Sequence, residues 1–147
     1  AQQKLEAPGG AFTLIDESYN GNPASVRAAI ENLGRIPVAG RGRRIAVLGD
    51  MLELGPTGPA LHKGLGEAIL ANHVDAVFAC GPLMRELYDS LPSTLRGAYA
   101  AQASGLEPLV LDAIRGGDVV MVKGSLGSRM GPIVKAVVAR FPALPAE

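Results

Sequence analysis

"DVVMVKGS" (Asp118–Ser125) sets four apolar residues side by side before a lysine, a glycine and a serine. A strand with one wet face would alternate apolar and polar side chains. An unbroken Val-Val-Met-Val run instead fits a strand covered on both faces, as in a parallel sheet. "AFTLID" (Ala11–Asp16), "RIAVLGD" (Arg44–Asp50), "DAVFACG" (Asp75–Gly81) and "GAYAA" (Gly97–Ala101) read in the same way. Helical patterns fill the intervals. Pro23–Ile36 places Val26, Ala29, Ile30 and Leu33 on one face, with Pro23 near its start and Gly34 near its end. Gly58–Val74 carries Leu61, Leu65, Ala68 and Ile69 at helical spacing, and Pro82–Leu91, Gly105–Gly117 and Ser128–Phe141 follow. Pro132 is compatible with the first turn of the last helix but not with a deeper position. This alternation predicts an α/β fold: an open, doubly wound, mostly parallel sheet with helices on both faces and right-handed crossovers. Residues 1–10 show no periodicity and read as a lead-in from an upstream domain, residues 11–141 as a single domain, and 142–147 as a tail.

A chain of 147 residues fits one domain with a sizeable core. Charged residues make up 19% and formal net charge is zero, which argues against nucleic acid or an anionic membrane as electrostatic partner. The densest cationic stretch, "RGRR" (Arg41–Arg44), reads as a solvated turn entering a strand. Cys80 is the single cysteine, so no internal disulfide can form and a reducing compartment is the simpler expectation. No apolar run approaches the roughly 20 residues of a membrane helix, and no signal-peptide pattern is seen.

In doubly wound sheets ligands bind outside the carboxyl ends of the strands. Polar residues concentrate at three of those ends: "DESYNGNP" (Asp16–Pro23), "GDMLELG" (Gly49–Gly55) and "KGSLGSR" (Lys123–Arg129). None is a standard nucleotide fingerprint. No G-x-G-x-x-G follows a strand, and in "VKGS" the lysine follows a valine where a P-loop needs a preceding glycine-rich cradle. There is no G-x-S-x-G elbow, and the two histidines, His62 and His73, lie eleven apart in one helical stretch, which disfavours a Ser–His–Asp hydrolase. No His/Cys group has metal-ligand spacing, so no metal site is expected. His73 suits a helix C-terminus as a cation. His62 reads chiefly as structural, with a site role still open. "KGSLGSR" opens a helix with two glycines and two cations, which suits an anion; the bland alternative is a glycine-rich turn with solvated charges. Asp50 and Glu53 form a weak carboxylate pair that could hold an amine or a neighbouring domain.

Taken together, "IDESYNGNPASVRAAIENL", "RRIAVLGDMLELG" with His62 downstream, and "VVMVKGSLGSRM" resemble the C-terminal domain of the Mur ligases over roughly Leu5–Phe141. The resemblance is to the branch that adds D-Ala-D-Ala during peptidoglycan synthesis. It implies a Rossmann-like domain that closes over a site shared with two others, an N-terminal one for the UDP-sugar and a central one with the P-loop, magnesium ligands and a modified lysine. It further implies an ADP-forming ligase: ATP phosphorylates UDP-N-acetylmuramoyl tripeptide, and the amine of D-Ala-D-Ala attacks the acyl phosphate. The cofactors would be ATP and Mg, held mainly by the central domain. The setting would be the bacterial cytoplasm, with the enzyme a monomer. By the same resemblance Asp16, Glu17, Tyr19, Asn20 and Asn22 lie on the nucleotide side, with Glu17 towards the ribose. Asp50, Glu53, His62, Lys123, Gly124, Ser125 and Arg129 lie on the dipeptide side. No residue of this chain is assigned the chemistry itself, so the domain alone is expected to be inactive. Three positions depart from the family pattern. Glu17 replaces its second Asp, Gly21 replaces the usual Ala and should loosen that loop, and Leu126 stands where many members carry Arg, with Arg129 three positions on. A Mur-type ligase for another amino acid or peptide, or a free-standing small-anion or nucleotide-binding module, are the alternatives.

Overall fold

A computed structural model describes residues 2–144. Six strands form one sheet: β1 (Gln2–Ala7), β2 (Gly10–Glu17), β3 (Arg44–Gly49), β4 (Ala76–Cys80), β5 (Arg96–Ala100) and β6 (Val119–Lys123). Their order is β1-β2-β6-β3-β4-β5, with β1 antiparallel to β2 and all other neighbours parallel. β6, the last strand in sequence, therefore lies at the centre, and this explains its unbroken apolar run: every residue of Val119–Lys123 is buried.

The helices divide by face. α1 (Pro23–Arg35), α2 (Gly58–Lys63), α3 (Leu65–Ala71) and α4 (Met84–Ser90) cover one side, whose core includes Ile15, Ile30, Leu48, Ile69, Met84 and Met121. α5 (Ala103–Ala113) and α6 (Gly131–Arg140) cover the other, over Phe12, Leu14, Val47, Leu106, Val122 and Ile133. Along each strand the side chains alternate between the two cores, as pleating demands. In β6, Val119 and Met121 face α1–α4, whereas Val120 and Val122 face α5–α6.

Local chemistry sets the element ends. Asn22 Oδ1 accepts from the Ser25 amide at 2.9 Å, and Ser25 Oγ accepts from the Asn22 amide at 3.0 Å, a reciprocal capping box with Pro23 in the first turn. Pro132 likewise sits in the first turn of α6. The expected helix over 58–74 is broken at Gly64 into α2 and α3.

Two expectations need correcting. Residues 2–7 form an edge strand, with only Leu5 and Ala7 turned inward. Its outer edge is covered by the chain's other end, through Glu6 N–H to the Pro142 carbonyl (2.8 Å) and Leu144 N–H to the Lys4 carbonyl (3.3 Å). The "RGRR" turn is not simply solvated. Buried Asp118 gathers the Arg43 guanidinium (2.7 Å) and the backbone amides of Arg43 and Arg115, while Arg44 donates to the Ile36 carbonyl at 2.9 Å.

Candidate functional site

The three polar loops all follow carboxyl ends of strands and meet at one edge of the sheet. The loop after β2 is shaped by its own side chains. Asp16 Oδ1 accepts from the Ser18 amide (2.9 Å) and hydroxyl (2.5 Å), turning the chain as it leaves the strand. Tyr19 projects outward, 64% exposed, and its hydroxyl donates to Glu17 at 3.4 Å. The Glu17 carboxylate, with smaller contributions from burial and Asp16, raises the Tyr19 phenol above its ordinary value. Asn20 is exposed, whereas Asn22 is committed to capping α1.

This loop rests on the one after β6. A Cβ added at Gly21 would collide with the backbone nitrogen of Ser125 and the carbonyl carbon of Gly124. Gly21 therefore does the opposite of loosening the loop: its missing side chain lets two backbones touch. Gly124 is equally confined, with Met130 and Ser128 occupying the space a Cβ would need.

The loop after β3 is held from two directions. Asp50 is buried, and its carboxylate accepts from the amides of Leu83 (3.1 Å) and Met84 (2.7 Å), capping α4. Its carbonyl accepts from the Ser125 hydroxyl at 3.1 Å, which joins this loop to the one after β6. His62 is fully buried in α2. Its Nε2 accepts from the Met51 amide at 2.9 Å, so the ring proton sits on Nδ1, which donates to the Gly58 carbonyl at 2.6 Å. Both nitrogens are thus used within the protein, and no face is open to a ligand. The expected place of His62 on the dipeptide side is corrected on that ground: the side chain positions the loop that carries Asp50. Glu53 stands exposed on left-handed backbone (φ 62°).

Beside these loops, on the α5–α6 face, a cleft of about 540 Å3 opens at the ends of β3–β6. Asp50, Gln102, Ser104, Glu107, Ser128 and Arg129 are among its lining residues. Arg129 is exposed and sits on left-handed backbone (φ 60°); its amide donates to the Leu126 carbonyl at 3.2 Å, and among the described residues its guanidinium has no hydrogen-bond or ion-pair partner. A cation with free donors at a cleft rim suits a carboxylate or phosphate. Gln102, Ser104 and Glu107 were missed by sequence reasoning, although "QAS" directly after the "GAYAA" run was a fourth polar strand end.

The resemblance groups Lys123 with Arg129 on the dipeptide side, and the structure separates them. Lys123 continues the odd-numbered side of β6, with Val119 and Met121, and so turns to the α1–α4 face, away from the cleft. It pairs in register with Glu17, its ammonium 3.7 Å from Oε2 and 5.9 Å from the centre of the Tyr19 ring. Among the described residues no group of three or more His, Cys, Asp or Glu is arranged to hold a metal ion. Nor is any helix there long and apolar enough to cross a membrane.

Residues 3–126 match the family described as Mur ligase, glutamate ligase domain. The chain is 30% identical over 130 residues to UDP-N-acetylmuramoyl-tripeptide–D-alanyl-D-alanine ligase of Bacillus subtilis (strain 168), covering 86% of this chain and 28% of that protein. To the enzyme of the same name from Escherichia coli (strain K12) it is 34% identical over 125 residues, covering 84% and 26%. The chain thus spans just over a quarter of the length of these relatives. Among solved structures, MurF ligase from Thermotoga maritima in complex with ADP superposes with a TM-score of 0.72 at 25% identity, covering 92% of this chain and 30% of that one. MurF from Acinetobacter baumannii shares the fold, with a TM-score of 0.74 at 23% identity over 91% of this chain and 29% of that one. On the family match across most of its length, the chain belongs to the Mur ligase family.

Proposed function

We propose that this domain is the closing part of an ATP-dependent ligase that joins D-Ala-D-Ala to UDP-N-acetylmuramoyl tripeptide in the bacterial cytoplasm, working as a monomer. The names of its relatives support the substrate pair. The observation that carries the reading is the division of one sheet edge into two polar places: a lip after β2 with Glu17, Tyr19 and Asn20, and a cleft with an unpartnered Arg129.

D-Ala-D-Ala enters with one free carboxylate and one amine. Arg129 offers the carboxylate charge-assisted donors, which leaves the amine directed out of the cleft towards an acyl phosphate held elsewhere. The amine nitrogen forms the new bond to the acyl carbon, the carbon–oxygen bond to phosphate breaks, and the amine loses a proton. Closure of the lip over the nucleotide excludes water, which would otherwise hydrolyse the acyl phosphate. Magnesium would supply neutralisation of phosphate charge. The described residues of this chain do not fit it, so its ligands are assigned to a central domain.

The test is ADP release by a complete ligase carrying this domain, which should require both tripeptide and dipeptide. Arg129→Ala should raise the KM for D-Ala-D-Ala by about tenfold or more, the loss of a hydrogen bond to a charged group. An unchanged KM would remove Arg129 from the acceptor site. Nucleotide or anion binding by this chain, with no ligation by the complete protein, would favour the free-standing binding module instead.

A further inference from the structure

We infer that Lys123 is a positioning residue of the nucleotide side, holding Glu17 and Tyr19 in place, and takes no part in binding the incoming dipeptide. The inference rests on the reading above for what the lip contacts, and on geometry for which lip Lys123 serves.

Strand parity comes first. Lys123 follows Val119 and Met121 onto the α1–α4 face, while Val120 and Val122 point to the core beneath the cleft. The lysine does not line the cleft, although Asp50, Ser128 and Arg129 from neighbouring loops do. Burial comes second. The Lys123 side chain is only 3% exposed, and an ammonium taken out of water needs an opposing charge. Glu17, directly opposite in the parallel register, supplies it at 3.7 Å and is itself 27% exposed. One end of the pair is thus sealed in the protein while the other reaches the surface. Tyr19 closes the arrangement, with its ring beside the ammonium at 5.9 Å and its hydroxyl on the same Glu17 Oε2 at 3.4 Å.

Two groups, the Lys123 ammonium from β6 and the Tyr19 hydroxyl from the loop after β2, therefore converge on one carboxylate oxygen. The buried lysine anchors the carboxylate from behind, and the carboxylate fixes the exposed tyrosine. Glu17 retains its second oxygen for a hydroxyl-bearing ligand such as a ribose. The longer Glu side chain, where the family pattern has Asp, reaches both the Lys123 ammonium and the Tyr19 hydroxyl.

Lys123→Met tests this, because it removes the charge while keeping an apolar stem in a buried place, and the Glu17 carboxylate it leaves behind is 27% exposed and can turn to water. In a complete ligase carrying this domain, the KM for ATP should rise by about tenfold, as for one lost hydrogen bond to a charged group, while the KM for D-Ala-D-Ala stays put. In a Glu17→Gln background the same substitution should add little further, since both act through one carboxylate. A raised dipeptide KM, an equal rise in both, or no change in either would overturn the inference. If the wild-type protein releases no ADP with these substrates, the ligase reading fails separately. Positioning is then judged from the chain itself. Lys123→Met should shift the amides of Ser18–Asn22 and leave those of Gln102–Ser104 unmoved, and the reverse pattern would sink it.

Discussion

Asp50 in the loop after β3 and His62 in α2 both spend their hydrogen-bonding capacity on backbone. Asp50 satisfies two amides at the start of α4. Asp50→Ala should therefore act as a lost helix cap, lowering stability by about 2 kcal/mol, seen as a lower urea midpoint with unchanged slope. Asp50→Asn keeps one acceptor oxygen and should recover much of that loss. A wild-type midpoint in the Ala variant would mean the carboxylate is not working as a cap. His62→Ala removes two hydrogen bonds from a fully buried place and leaves a cavity, so a cost of about 3 kcal/mol is expected. Any loss of activity should then be recovered when the variant is assayed at a temperature where it remains folded. A loss that persists in the folded variant would return His62 to the ligand side.

At the scale of elements, the lip after β2 and the loop after β6 form one surface because Gly21 lies against the Gly124–Ser125 backbone. Gly21→Ala restores the residue the family pattern carries, yet here the new methyl group meets backbone that cannot rotate aside. The expected outcome is a displaced lip, visible as amide shifts at Ser18–Asn22 and Gly124–Ser125, with about 1–3 kcal/mol lost to overpacking. Silent amides there would show that the loop shifts freely. The central strands were legible in the sequence, because burial on two faces writes itself as an apolar run, as in Val119–Val122. β1 was not, since an edge strand with one covered face needs few apolar residues, and two inward positions, Leu5 and Ala7, are too short a pattern to read. Of the candidate site, the three polar loops were legible by their place after strands. The face on which Lys123 falls was also written in the odd–even order of β6, but resemblance grouped it with Arg129. Gln102, Ser104 and Glu107 escaped because their chemistry is ordinary until a cleft brings them together.

Over the whole molecule, the cysteine and the three tyrosines share one tendency. Burial, assisted by Asp50, pushes the Cys80 thiol from 9.0 up to about 12. Burial chiefly raises Tyr88 and Tyr99, and Glu17 chiefly raises Tyr19. Each group therefore holds its proton longer when folded than when unfolded. Their contribution is fully present below about pH 9 and is lost progressively as pH climbs towards 12. Urea midpoints measured upward from pH 8 should fall from about pH 9. Cys80→Ala should flatten the first part of that fall, and an identical slope would mean the thiol is not protected. Cys80 should also resist thiol-modifying reagents until the protein unfolds. The division of the helices, four over one face and two over the other, has a pharmacological consequence. The sheet is a partition, with the cleft beneath α5–α6 and the Glu17–Tyr19–Lys123 group on the opposite side. On the proposed division of the sites, a small molecule lodged in the cleft and a nucleotide mimic at the lip would not exclude one another. Their combined inhibition should multiply rather than compete, and resistance substitutions against one should leave the other's potency intact.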